Sequence, residues 1–82
     1  MPPTLKALYQ QHTGDTTTHQ RTIGAALASI DKRRRQWIAQ LLEGRSYREI
    51  AAPAQLSPGT VQDGVKRAFA VMKKTAEAKR KV

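Results

Sequence analysis

Apolar residues recur along this chain at intervals of three and four, the period that puts them on one side of a helix. Leu5, Leu8 and Tyr9 make a first short stripe; Ile23, Ala26, Leu27 and Ile30 make a second. Trp37, Ile38, Leu41 and Leu42 follow, then Ile50 and Ala51, and last a long stripe of Val61, Val65, Ala68, Phe69 and Met72. The stretches between stripes are polar or carry Gly and Pro. The pattern predicts an all-α chain, a small bundle of four to five helices.

The helix ends are marked by side chains that satisfy free backbone groups. Thr4 is placed to cap a helix over residues 5–11. Residues 13–18, Thr-Gly-Asp-Thr-Thr-Thr, are polar and β-branched and read as a loop, and the helical period resumes at His19 or Gln20. Gly24 weakens that helix or lets another approach closely. A break at Ser29 and Ile30 leaves Asp31 to cap the next helix, which stops at Gly44. Ser46 and Glu49 have the spacing of a capping box, in which the serine oxygen takes the Glu49 amide proton and the carboxylate takes the Ser46 amide proton. Ser57 caps a further helix, with Pro58 at a first position that needs no N–H donor. Two capped helices about ten residues apart, joined by one tight turn, predict a helix-turn-helix.

With 82 residues the chain makes one domain, divided into a short N-terminal helix and loop (1–18), a helix-turn-helix core (19–74) and a basic C-terminal extension (75–82). A core this small is marginally stable alone, so dimerisation would help it. There is no cysteine, which excludes disulfides and thiolate chemistry. No apolar run resembles a signal peptide or reaches the length of a membrane span, so a soluble cytoplasmic protein without membrane contact is expected.

The net charge of +9 is unevenly distributed: thirteen of the fifteen Lys and Arg and five of the six acids follow residue 30. The basic half is therefore the half with the two capped helices, which favours a polyanionic partner over a merely solvated surface. Lys32, Arg33, Arg34 and Arg35 occupy the first turn of their helix, where they oppose the positive end of its dipole at a few tenths of a kcal/mol each. A phosphate backbone is the simplest compensation, and Asp31 offsets part of the cost.

The residues from Glu43 to Ala51, with Gly44, Ser46 and Glu49-Ile50-Ala51, and Leu56-Ser57-Pro58-Gly59-Thr60-Val61 resemble the helix-turn-helix of bacterial sigma-70 region 4 and its response-regulator relatives. The run from Gly59 to Phe69 is also similar to the recognition helix of KorA-type plasmid repressors. The likeness covers about half the chain. It implies a bacterial, plasmid or phage DNA-binding protein and a second helix that serves for recognition. Pro53, Gln55 and Gly64 depart from the pattern. Pro53 removes a hydrogen bond to the Glu49 carbonyl and biases Ala52 away from helix, so the first helix of the pair is expected to be short or kinked. Gln55 stands where the turn commonly has glycine. Gly64 costs about 1 kcal/mol relative to alanine unless close packing or close DNA approach needs it.

Opposite the long apolar stripe lie Gly59, Gln62, Asp63, Lys66, Arg67 and Ala70, a mixture suited to base edges. The expected base-reading set is Gly59, Gln62, Asp63, Lys66 and Arg67. In it Gln62 pairs with adenine and Arg67 with guanine, while Asp63 either accepts from cytosine or orients Lys66 or Arg67. The expected phosphate contacts are Lys32, Arg33, Arg34, Arg35, Arg45, Arg48, Ser57, Thr60 and Lys73.

These readings predict a sequence-specific transcription regulator of double-stranded DNA, a small repressor working as a homodimer through its N-terminal helix or C-terminal extension. The alternative is a region-4-like protein that binds RNA polymerase or another regulator. Enzyme chemistry is not expected: no phosphate loop, no histidine beside a nucleophile and no paired carboxylates stand out. His12, Asp15 and His19 fix no coordination geometry, so no metal or other cofactor is assigned. Trp37 is expected to be ordinary core, and the few aromatics do not form an RNA-stacking platform.

Overall fold

The computed structural model describes residues 3–80, with side chains through Ala78. Met1 and Pro2 of the N-terminal segment, and Lys81 and Val82 of the basic C-terminal extension, lie outside the described residues. Five helices run in the order α1 (Leu5–Thr13), α2 (Gln20–Leu27), α3 (Lys32–Leu42), α4 (Tyr47–Ala54) and α5 (Pro58–Arg80), and no strand occurs among the described residues. The chain is therefore a small all-α bundle.

The longest helix is its axis. Val61, Val65, Ala68, Phe69 and Met72 are each fully buried along one side of α5, and α1, α2, α3 and α4 all pack on it. Their contributions to the same core are Leu8 and Tyr9, Ile23 and Ala26, Trp37, Ile38 and Leu41, and Ile50 and Ala51. Helices of eight to eleven residues are too short to persist alone. Burial against α5 is what holds them.

The caps stand where the spacing puts them. Thr4 Oγ1 accepts from the Ala7 amide at 3.1 Å and Asp31 Oδ2 from the Arg34 amide at 3.2 Å. The capping box is complete: Ser46 Oγ accepts from the Glu49 amide at 3.2 Å, and the Ser46 amide donates to Glu49 Oε1 at 3.1 Å. After α3 the Arg45 amide returns to the Gln40 carbonyl and the Gly44 amide to the Leu41 carbonyl, with Gly44 at φ 92°. That is a Schellman ending, which requires the left-handed backbone glycine takes without cost.

One local expectation is revised and two open alternatives are decided. First, α1 runs two residues beyond residue 11, because Thr13 Oγ1 donates to the Tyr9 carbonyl and the Gly14 amide closes on the Gln10 carbonyl. Second, α4 takes the short alternative: Ala52 stays helical, Pro53 sits inside the last turn and the helix ends one residue later. So near the end, the missing proline donor interrupts little further ladder. Third, Gly24 has open space around the position of a Cβ, so it weakens α2 without admitting a neighbour.

The loop after α1 is organised by Asp15. Its Oδ1 accepts from the Thr17 amide at 2.9 Å and the Thr17 hydroxyl at 2.8 Å, and its Oδ2 accepts from the Thr18 hydroxyl and, at 3.3 Å, from the Tyr9 hydroxyl. The buried Tyr9 phenol is thereby satisfied, and its ring meets Phe69 edge-on at 6.4 Å while His12 stacks on Phe69 at 4.6 Å. The apolar side of α1 is thus spent on its own chain. No helix among the described residues is long and apolar enough to cross a membrane.

Candidate nucleic-acid interface

Residues 55–57 join α4 to α5 in a turn of three residues. Gln55 adopts φ 58°, and the Leu56 amide returns to the Ala51 carbonyl at 3.1 Å. Glutamine here takes the place usually given to glycine, at a steric cost of about 1 kcal/mol. Leu56 is half-buried against the core and anchors the turn. Ser57 Oγ accepts from the Thr60 amide at 3.2 Å and shares a hydrogen bond of 2.8 Å with the Thr60 hydroxyl. The start of α5 is fixed from both sides, by its cap and by Val61 in the core.

Opposite that buried side, Gly59, Gln62, Asp63, Lys66, Arg67 and Ala70 are all exposed. Among the described residues, none of the Gln62, Asp63, Lys66 and Arg67 side chains is engaged in a hydrogen bond or ion pair. In particular, Asp63 forms no ion pair with Lys66 or Arg67, although both fall at helical neighbour spacing. A row of polar and charged groups is therefore presented to solvent on a helix whose other side is immobilised by packing.

The phosphate-contact candidates fall into several environments. Lys32, Arg35 and Arg48 are exposed, and Lys73 is half-buried on α5. Arg34 Nε lies 3.6 Å from Asp31 Oδ1, a pairing with the residue that caps the same helix. Arg33 places its guanidinium carbon 5.0 Å from the centre of the Trp37 ring, a cation–π arrangement. Arg45 Nε stands 3.5 Å from Glu43 Oε2, and its Nη1 donates to Gln40 Oε1 at 3.2 Å. The Ser57 and Thr60 hydroxyls are exposed while bonded to each other.

What the sequence did not reveal is the groove between α3 and α5. Asp31, Arg33, Arg34 and Trp37 from one helix face Thr60, Asp63, Gly64 and Arg67 from the other across about 470 Å³. Gly64 explains how close the helices come: a Cβ built on it would stand 2.6 Å from Trp37 Cζ3, inside any ordinary contact. Close packing is the need that this mid-helix glycine serves. Trp37 is buried, as expected of core, yet it also lines the groove and steadies Arg33. The available signal was the four-residue spacing of Arg33 and Trp37 on one helix.

On the other side of Trp37, a second hollow of about 450 Å³ is bordered by Arg33, Gln36, Gln40, Arg45, Ile50 and Pro53. At the start of α4 the half-buried Tyr47 phenol is pushed above its ordinary pKa by desolvation. No family model, curated protein or solved structure matches this chain.

Proposed function

We propose that this chain is a sequence-specific regulator of transcription that binds double-stranded DNA, a small bacterial, plasmid or phage repressor acting in the cytoplasm. Its α4, turn and α5 serve as a helix-turn-helix, with α5 laid into the major groove. One observation carries the reading. The outward side of α5 holds Gln62, Asp63, Lys66 and Arg67 exposed and without hydrogen-bond or ion-pair partners among the described residues, on a helix fixed by its core side. Such groups are the donors and acceptors that base edges and phosphates take up. The net charge of +9 supplies the attraction to a polyanion.

A single recognition helix gains affinity by occupying two half-sites, so the regulator works as a homodimer. Because α1 spends Leu8 and Tyr9 on its own core, the C-terminal extension is the remaining candidate for the contact. The test is selection of bound duplexes from a random pool. A palindromic enriched site is the expected result; a pool that stays random under salt-sensitive binding refutes specific reading. Co-purification with RNA polymerase, with no duplex binding, would instead establish the alternative role as a polymerase-binding protein.

A further inference from the structure

We infer that the two flanks of α5 have different roles: Arg67, with Arg33 and Arg34, grips a backbone phosphate in the α3–α5 groove, leaving base preference to Gln62 and Lys66. The inference rests on the DNA-binding reading and sharpens it by moving Arg67 from base reading to phosphate binding.

Helix geometry is the first support. Gln62 and Arg67 are five positions apart, about 140° around the helix axis, so they point to different flanks of α5. Arg67 belongs to the flank that borders α3, where it lines the groove together with Arg33 and Arg34. Neither Gln62 nor Lys66 lines that groove. Arginines from two helices therefore border one groove, where a phosphate can be met from more than one side.

The chemistry of the groove is the second support. Its borders carry three arginines and two aspartates, with Trp37 as the large apolar side chain, unlike the mostly apolar lining of a small-molecule pocket. Arg33 is oriented by its stacking on Trp37, which lowers the entropy lost when the guanidinium takes an anion. Of the two acids, Asp31 is committed to the Arg34 amide and guanidinium. Asp63 remains, and its carboxylate opposes any anion entering the groove. Removing the Asp63 charge should therefore tighten phosphate binding, whereas a cytosine-reading Asp63 would on removal lose preference at one base position.

The third support is the cost of placing cations in the first turn of α3. Asp31 and Trp37 compensate part of it. A phosphate held jointly with Arg67 would compensate more.

The test uses the whole chain and two probes: inorganic pyrophosphate, followed by emission of the sole tryptophan, Trp37, and fluorescently labelled duplexes, followed by anisotropy over a range of salt. Circular dichroism confirms that each variant is folded. Arg67→Ala should weaken all duplexes by one common factor, roughly tenfold, as expected for a lost charge-assisted hydrogen bond. It should also reduce the salt slope by about 1 and leave the ranking of sites intact. Arg67→Lys should keep the salt slope, Gln62→Ala should change the ranking, and Asp63→Asn should tighten pyrophosphate binding. Loss of preference at one base position in Arg67→Ala overturns this inference alone, as does a pyrophosphate response indifferent to Arg67. A pyrophosphate response with no duplex binding at any salt overturns the DNA-binding function together with the inference.

Discussion

Replacing Gly64 by alanine tests the packing that brings α3 and α5 together. In an open helix interior this change gains about 1 kcal/mol, because alanine restricts the unfolded chain and favours the helix. Here the new Cβ would stand 2.6 Å from Trp37 Cζ3 and 3.3 Å from Cε3. Carbon atoms in good contact are about 3.5–4.0 Å apart, so the ring or the helix must give by about 1 Å. Trp37 is 7% exposed, and a packed interior absorbs such a shift at about 1–3 kcal/mol. The strain offsets or outweighs the propensity gain, and we expect a net loss of up to about 2 kcal/mol. In a domain of this size that lowers the melting temperature by up to roughly 15 °C.

Thermal unfolding followed by circular dichroism measures the shift, and Gly24→Ala is the internal control. Gly24 has nothing within 4 Å of a built Cβ, so its replacement should stabilise by about 0.5–1 kcal/mol. A cycle with Trp37→Leu isolates the clash, since Gly64→Ala should lose most of its penalty once the ring is gone. If Gly64→Ala raises the melting temperature as far as Gly24→Ala does, the close approach of Trp37 to α5 is wrong. The groove built on that approach would then be wrong as well.

Two further stability predictions concern the α4 region. Gln55→Gly should stabilise by about 1 kcal/mol, because φ 58° burdens a side chain and suits glycine; urea unfolding measures it, and a destabilised variant would mean that Gln55 contributes something other than its backbone. For Tyr47, desolvation favours the neutral phenol in the fold, so the folded state retains its proton above the unfolded value of about 10. Stability should then fall as pH rises from that value through the higher folded one, and Tyr47→Phe should be less sensitive in this range. Equal alkaline loss in the two proteins would assign the effect elsewhere.

How much of the molecule could be read from its residues depends on how local each cause is. A cap depends on atoms three residues apart, so Thr4, Asp31 and Ser46 with Glu49 were legible as helix starts from their spacing. A helix face depends on a period, so the burial of Val61, Val65, Ala68, Phe69 and Met72, and the exposure of Gln62, Asp63, Lys66 and Arg67 opposite them, could be written out in the same way. Asp15 was legible only as a loop residue. Its hold on Tyr9 depends on the path of the loop back to α1.

The helices, their caps and the outward row on α5 are thus properties of the amino-acid order, because each is settled within a turn or two of chain. Which helices meet is a property of the packed bundle, since it depends on the joint burial of distant segments. Packing set α1 against α5 in its own chain and brought Trp37 to Gly64. It also placed Arg33 and Arg34 across a groove from Arg67, which lies far along the chain from both. Spacing along one helix carries no information about a neighbour contributed by another.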